Sequence, residues 1–125
     1  MIRDTMAVVL IAEDDALVRD VAEGMIIDSH HQALLAGDVR EALHILREPS
    51  KIDVLFTDIR LKDEIYGGCD LARHAKELRP GIKVLYATGY FEDKLKSLLL
   101  PDAPLLLKPY SYDQLSHTLA GLLAG

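Results

Sequence analysis

From Ala7 onward the chain alternates short apolar runs with longer segments whose apolar residues recur at helical spacing. Residues 7–12, 32–36, 54–57, 84–88 and 104–107 are apolar over strand length, the pattern of strands buried on both faces. The run 32–36 is the weakest of these, because Leu and Ala carry little strand preference. Between the runs, Leu17, Val18, Val21 and Met25 form one helical face, and Val39, Ala42, Leu43 and Leu46 a second. Leu71, Ala72, Ala75 and Leu78 form a third, Leu95, Leu98 and Leu99 a fourth, and Leu115, Leu119 and Leu122 a fifth. Asp38 with Glu41, and Ser111 with Gln114, have the spacing of capping boxes, in which two side chains satisfy free N–H groups at a helix start. Pro80-Gly81 and Pro101 supply stops. Strict alternation of five strands and five helices predicts an α/β fold: a doubly wound parallel sheet, covered on both faces, with right-handed crossovers. Ligands of such open sheets bind beyond the carboxyl ends of the strands.

Composition narrows the class. The 125 residues carry 20 Asp and Glu against 14 Lys and Arg, for a net charge of −6. That balance speaks against gripping nucleic acid through its phosphates and against docking on an anionic membrane. Abundant Leu, Ile, Val and Ala exclude a disordered chain. Cys69 is the one cysteine, so no intrachain disulfide forms, and a reducing, cytoplasmic setting is expected. The six-residue run 7–12 is too short for a signal-peptide core or a membrane span. Residues 1–6 read as a short extension, with Met6 as an alternative start, and 7–125 as one domain with no output domain after it.

The polar residues at the predicted strand ends carry the chemistry. The first strand runs into Glu13-Asp14-Asp15, the third into Asp58, the fourth into Thr88-Gly89 and the fifth into Lys108-Pro109. Carboxylates gathered at one edge repel one another unless a positive charge lies between them. A hard divalent cation, Mg²⁺ or Mn²⁺, suits such oxygen donors. Lys108 and Thr88 offer a fixed charge and a hydroxyl for a phosphoryl group. A carboxylate such as Asp58 can act as nucleophile and form an aspartyl phosphate.

The strings VLIAEDDALVR, VLFTDIRL, VLYATGY and LLLKPY, in this order at successive strand ends, resemble the receiver domain of two-component response regulators over the chain from Ala7 on. The resemblance implies a flavodoxin-like (βα)5 sandwich with strand order 2-1-3-4-5. It implies Asp58 as phosphoacceptor, Asp14 as direct Mg²⁺ ligand, Glu13 holding the metal through water, and the Arg60 backbone carbonyl as a further ligand. Thr88 and Lys108 would contact the phosphoryl group, with Pro109 following a cis peptide. Asp15 is an additional carboxylate, for which a helix cap is the competing reading. Implied partners are a sensor histidine kinase or phosphotransfer protein. A downstream protein would meet the face of the fourth helix, fifth strand and fifth helix. The leucine run 98–100 marks a candidate partner or homodimer surface there.

Departures from the pattern qualify these expectations. Leu105 stands where the family often carries an aromatic, which leaves Tyr86, Tyr90 or Tyr110 to take over part of its role. The segment 61–68 is longer than usual and lacks the common proline. Arg60 and Tyr90, beside Gly89, flank the family's path for attacking water and are expected to slow autodephosphorylation. The five histidines show no metal-ligand spacing and read as surface residues, and Cys69 reads as a small buried one. The expected role is signalling rather than metabolic catalysis. Two alternatives stay open: a phosphorylation-independent pseudo-receiver, and an aspartyl phosphohydrolase. The latter lacks the acid/base carboxylate two residues after its nucleophile, where Arg60 stands.

Overall fold

The computed structural model describes residues 6–125; residues 1–5 of the expected extension lie outside the described residues. The elements run β1 (Val8–Ala12), α1 (Ala16–Asp28), β2 (Gln32–Ala36), α2 (Val39–Leu46), β3 (Val54–Asp58), α3 (Gly67–Leu78), β4 (Lys83–Thr88), α4 (Leu95–Leu98), β5 (Leu105–Leu107) and α5 (Tyr112–Ala124). The strands form one parallel sheet of order β2-β1-β3-β4-β5, the expected flavodoxin-like arrangement.

Alternation along each strand splits the apolar residues between two cores. Leu10, Ala12, Leu55, Val84 and Tyr86 point to one face, where α2 and α3 cover them with Ala42, Leu46, Leu71, Ala72 and Ala75. Val9, Ile11, Val54, Phe56, Leu85 and Ala87 point to the other, where α1 and α5 supply Ala22, Ile26, Leu115 and Leu119. Two-sided burial explains why these strands read as unbroken apolar runs. Ser111 closes a full capping box with Gln114. At α2 the box is displaced: Asp38 accepts from the Glu41 N–H, but the Glu41 carboxylate reaches the Gly37 N–H instead of that of Asp38.

Three expectations need correction. The inward stripe of α1 is Ala22 and Ile26, with Val18 and Met25 at its margin, whereas Leu17 and Val21 are 77% and 58% exposed. Leu and Val occupy more than one side of this helix, so apolar spacing alone chose the wrong stripe. The fourth helix is a single turn, and Leu99 is already extended. Pro101 disfavours helical backbone at Leu100, and Leu98, Leu99 and Leu100 turn onto the α2–α3 core, as expected for part of this run. His31 is half-buried rather than a plain surface residue: its Nδ1 accepts the Ala7 N–H at 2.9 Å. Burial, with His30 beside it, keeps its pKa below the usual histidine value, while Asp53 pulls the other way. Cys69 is buried as expected. Among the described residues no helix is long and apolar enough to cross a membrane.

Tyr86 is fully buried beside Leu105. The two are partners in register on β4 and β5, and the Tyr86 hydroxyl accepts the Leu100 N–H at 3.1 Å. Removing that hydroxyl in Tyr86→Phe strands a partly buried donor and is expected to cost about 1–2 kcal/mol. Urea denaturation of parent and variant measures this; equal midpoints would mean that the bond contributes nothing.

Candidate functional site

Parallel strands bring their carboxyl ends to one edge, and there the polar residues meet. Glu13 follows β1, and its backbone is tied to β2 through Glu13 N–H to the Ala36 carbonyl at 3.0 Å. The Arg19 guanidinium reaches back from α1 to the Glu13 carbonyl at 2.9 Å. Asp58 ends β3, with its carbonyl accepting the Thr57 hydroxyl at 2.9 Å. Gly68, at the start of α3, presses on the same carbonyl, since a Cβ there would lie 1.9 Å from the Asp58 oxygen. Only glycine permits this approach, which sets α3 directly against the backbone of Asp58.

Lys108 joins the strands' ends. Its Nζ lies 2.6 Å from Glu13 Oε1 and 3.0 Å from Asp58 Oδ2. Glu13 is 5% exposed, and its second oxygen accepts the Asp15 N–H at 3.1 Å, so both of its oxygens are engaged. The Asp58 side chain is 11% exposed; Oδ2 is held by Lys108, and among the described residues no N–H or charged donor engages Oδ1. Asp14 is exposed and its carboxylate is unpaired among the described residues. Glu13, Asp14 and Asp58 each present an oxygen within 4.8 Å of the others, an all-oxygen donor set that fits a hard divalent cation. Three carboxylates against one ammonium leave the cluster net negative, as such an ion requires.

Burial pushes the Asp58 carboxyl up to about 6; the Lys108 ammonium opposes that shift and the Glu13 charge adds to it. Burial alone would lower the Lys108 pKa, but its bonds to Glu13 and Asp58 outweigh it and hold the ammonium above the usual lysine value. Lys108 therefore remains charged, while the burial of Asp58 is only partly compensated.

The remaining candidates take varied places. Asp15 caps α1, its Oδ1 accepting the N–H groups of Leu17 at 2.9 Å and Val18 at 3.1 Å, and it stands outside the three-carboxylate group. Thr88 is buried at the end of β4, but its hydroxyl donates to the Tyr90 carbonyl at 3.2 Å rather than toward Asp58. The Arg60 side chain is exposed, as are Gly89 and Tyr90, the last at 74%. The Lys108–Pro109 peptide is cis. The longer loop after Asp58 is ordered by paired backbone bonds between Leu61 and Glu64 around Lys62, whose φ is 53°.

One feature escaped the sequence reading. The exposed residues of α1 continue into the β5–α5 loop as an apolar groove of roughly 500 Å³, lined by Leu17, Val18, Val21, Met25, Pro109 and Tyr110 and adjoining Lys108. The Tyr110 ring packs on Phe56 at 5.7 Å between centroids, and burial pushes its hydroxyl up to about 12, with Lys108 opposing. The signal was present as apolar residues in excess of one helical stripe.

The Asp58 shift gives a signed prediction for the metal-free protein. A carboxyl whose folded value is raised from 3.8 to about 6 adds stability below the lower value and loses it as pH rises through the upper. Asp58→Asn is uncharged throughout, so it is expected to exceed the parent's stability at pH 7.5 by about 1–2 kcal/mol, discounted for solvent screening at the pocket mouth. The gain should vanish near pH 4. Thermal denaturation in chelator at both pH values checks this; a gain of equal size at each would refute the assignment.

A family model described as response regulator receiver domain matches residues 9–120. Sensory transduction protein LytT of Enterococcus faecalis is 30% identical over 114 residues, which are 89% of this chain and 46% of that protein. Sensor kinase CckA of Brucella abortus is 30% identical over 120 residues, 94% of this chain and 12% of that protein. The chain thus spans less than half the length of these curated relatives. A crystal structure of a response regulator receiver protein from Sinorhizobium medicae superposes with a TM-score of 0.88 and 26% identity, covering 97% of each chain. The family model spans nearly all of β1 to α5, and the fold superposes on that of a receiver protein; the chain belongs to the receiver domain family of two-component response regulators.

Proposed function

We propose that this chain accepts a phosphoryl group on Asp58 from a phosphohistidine of a sensor kinase or phosphotransfer protein, and that its role is signalling. The single observation that carries this reading is the asymmetry of the Asp58 carboxylate: Oδ2 is held by Lys108 at 3.0 Å, while no N–H or charged donor among the described residues engages Oδ1. Oδ1 is then the oxygen free to form the new bond to phosphorus as the bond from phosphorus to the donor imidazole breaks. Asp14, Asp58 and the Arg60 carbonyl would hold Mg²⁺ or Mn²⁺, with Glu13 acting through water because both its oxygens are engaged. The bound ion supplies neutralisation of the phosphoryl oxygens and of the carboxylates themselves. Lys108 is positioned to follow the charge, exchanging part of its contact with Asp58 for a phosphoryl oxygen. Thr88 would turn its hydroxyl from the Tyr90 carbonyl to another such oxygen, and the segment from Tyr90 onward would follow.

The groove on α1 supports docking of the phosphodonor protein, since it is apolar, solvent-facing and adjoins Lys108. The face of α4, β5 and α5 remains the proposed site for a downstream protein, with Leu107 exposed on it. A second copy of the chain is a further candidate occupant of that face.

The direct test is incubation with Mg²⁺ and acetyl phosphate, followed by intact-mass and peptide analysis. The expected result is a single base-labile phosphoryl group on Asp58, absent in Asp58→Asn and in chelator. No modification at saturating metal would favour a pseudo-receiver, and rapid multiple turnover a hydrolase.

Arg60 and Tyr90 are exposed, two residues after Asp58 and two after Thr88, and in this reading they would shield the phosphorylated residue from attacking water. Arg60→Asn combined with Tyr90→Ala is expected to shorten the aspartyl-phosphate half-life by about tenfold, roughly 1.4 kcal/mol of barrier. Decay of the labelled protein after donor removal measures this, and an unchanged half-life would reject the shielding role.

A further inference from the structure

The two loops that flank the site are anchored to different halves of it. The β3–α3 loop is referenced to Asp58: Gly68 presses on the Asp58 carbonyl and donates its N–H to the Ile59 carbonyl at 2.8 Å. The β4–α4 loop is referenced to Thr88, whose hydroxyl donates to the Tyr90 carbonyl. Tyr66, the residue just before α3, spans the two. Its hydroxyl donates to Glu92 Oε1 at 2.6 Å, and its ring lies under the Lys94 ammonium, 5.0 Å from the centroid. The ring also packs against the α2–α3 core, so Tyr66 is a fixed post rather than a mobile side chain.

What it holds has little stability of its own. α4 is one turn, too short to persist in water without outside contacts. The segment after Thr88 is held by the Tyr66 contacts to Glu92 and Lys94, the buried Leu95, the packing of Leu98, Leu99 and Leu100 on the core and the Tyr86 bond to Leu100; of these, the Tyr66 bond to Glu92 lies nearest Thr88. Turning the Thr88 hydroxyl toward Asp58 would give up its bond to Tyr90, two residues from Glu92. The Tyr66–Glu92 bond resists that displacement from the opposite loop.

We propose that Tyr66 is a positioning residue whose hydroxyl, through Glu92, holds the β4–α4 segment in its resting arrangement and opposes the response to a phosphoryl group at Asp58. The inference rests on the phosphoacceptor reading. A bond present in one state and strained or broken in the other shifts the equilibrium by its differential free energy. Tyr66→Phe keeps the ring, its packing and its contact with Lys94, and removes only the hydroxyl. Glu92→Ala removes the same bond from the exposed loop.

The test titrates the full chain with beryllofluoride in Mg²⁺, followed by the backbone amide resonances of Thr88, Gly89 and Tyr90. Both variants are expected to saturate at a concentration about three- to tenfold lower than the parent, the range for a partly exposed hydrogen bond to a charged acceptor. Their ligand-free resonances should lie part of the way toward the parent's saturated positions, and the double variant should go no further than either single one. A role in structure alone would lower the melting temperature without moving these resonances along that line. Variants that titrate like the parent, or more weakly, overturn the inference while leaving the phosphoacceptor reading intact. A parent that gives no saturable response overturns that reading, and the inference with it.

Discussion

One ammonium group, Lys108, is what allows the carboxyl edge of this sheet to exist in its observed form. Glu13 and Asp58 are both largely buried, and two buried carboxylates without a counter-charge would repel each other and protonate. The ammonium at 2.6 Å from one and 3.0 Å from the other supplies that charge. The contact spans three strand intervals, from β5 past β4 and β3 to the end of β1, a separation of about 14 Å at ordinary spacing. A long cationic stem meeting a glutamate closes such a gap; an aspartate at position 13 would have a shorter reach. Compensation is incomplete, because Asp58 stays raised despite Lys108. The residual negative charge, with Asp14 unpaired at the mouth, is what makes the edge receptive to a cation.

The sheet topology and the site are thus one constraint. Order 2-1-3-4-5 makes β1 and β3 neighbours, which brings Glu13 and Asp58 together, and it sets β4 between Asp58 and the base of Lys108. The apolar cores on either face hold these strands in register, so the same residues that stabilise the fold fix the relative heights of the strand ends. At Asp58 the backbone is pinned further, by the Thr57 hydroxyl and by the close approach of Gly68. Asp58 therefore sits on the more firmly anchored half of the site.

Legibility in the sequence followed the same division. Strands buried on both faces write themselves as apolar runs, so their ends, and with them Glu13, Asp14, Asp58, Thr88 and Lys108, could be located before any coordinates. The strand order was less accessible: it came from a resemblance, since β-α alternation fits several orders. Features set by tertiary context were misread. On α1 the apolar residues exceed one stripe, and spacing could not tell the buried Ala22 and Ile26 from the exposed Leu17 and Val21. The leucines at 98–100 looked helical in composition, yet Pro101 and the core contact of those side chains end the helix after one turn. Asp15 was ambiguous in sequence because a cap and a ligand place the same residue at the same position; its bonds to Leu17 and Val18 assign the side chain to the helix. The Tyr66–Glu92 contact joins residues 26 positions apart through two irregular loops, and no periodicity encodes it.

The contrast between the two halves of the site has a thermodynamic consequence. A signalling element must change conformation for the free energy that one covalent phosphoryl group can deliver through a few contacts, and such couplings are of order 1–3 kcal/mol. A full-length helix packed along the sheet would offer many contacts to break at once. Here the segment after β4 is a loop and a single turn whose closing leucines rest on the core, so its first part, from Gly89 to Lys94, can rearrange at the expense of few contacts. Thr88 lies at the junction, buried on a strand whose register is fixed, with a hydroxyl bonded to the loop that follows. Reorienting that hydroxyl exchanges one bond for another, whereas moving the Asp58 backbone would disturb both cores and the seat of α3. On the proposed function, the fold would direct a response at this edge away from the Asp58 backbone and into the β4–α4 segment.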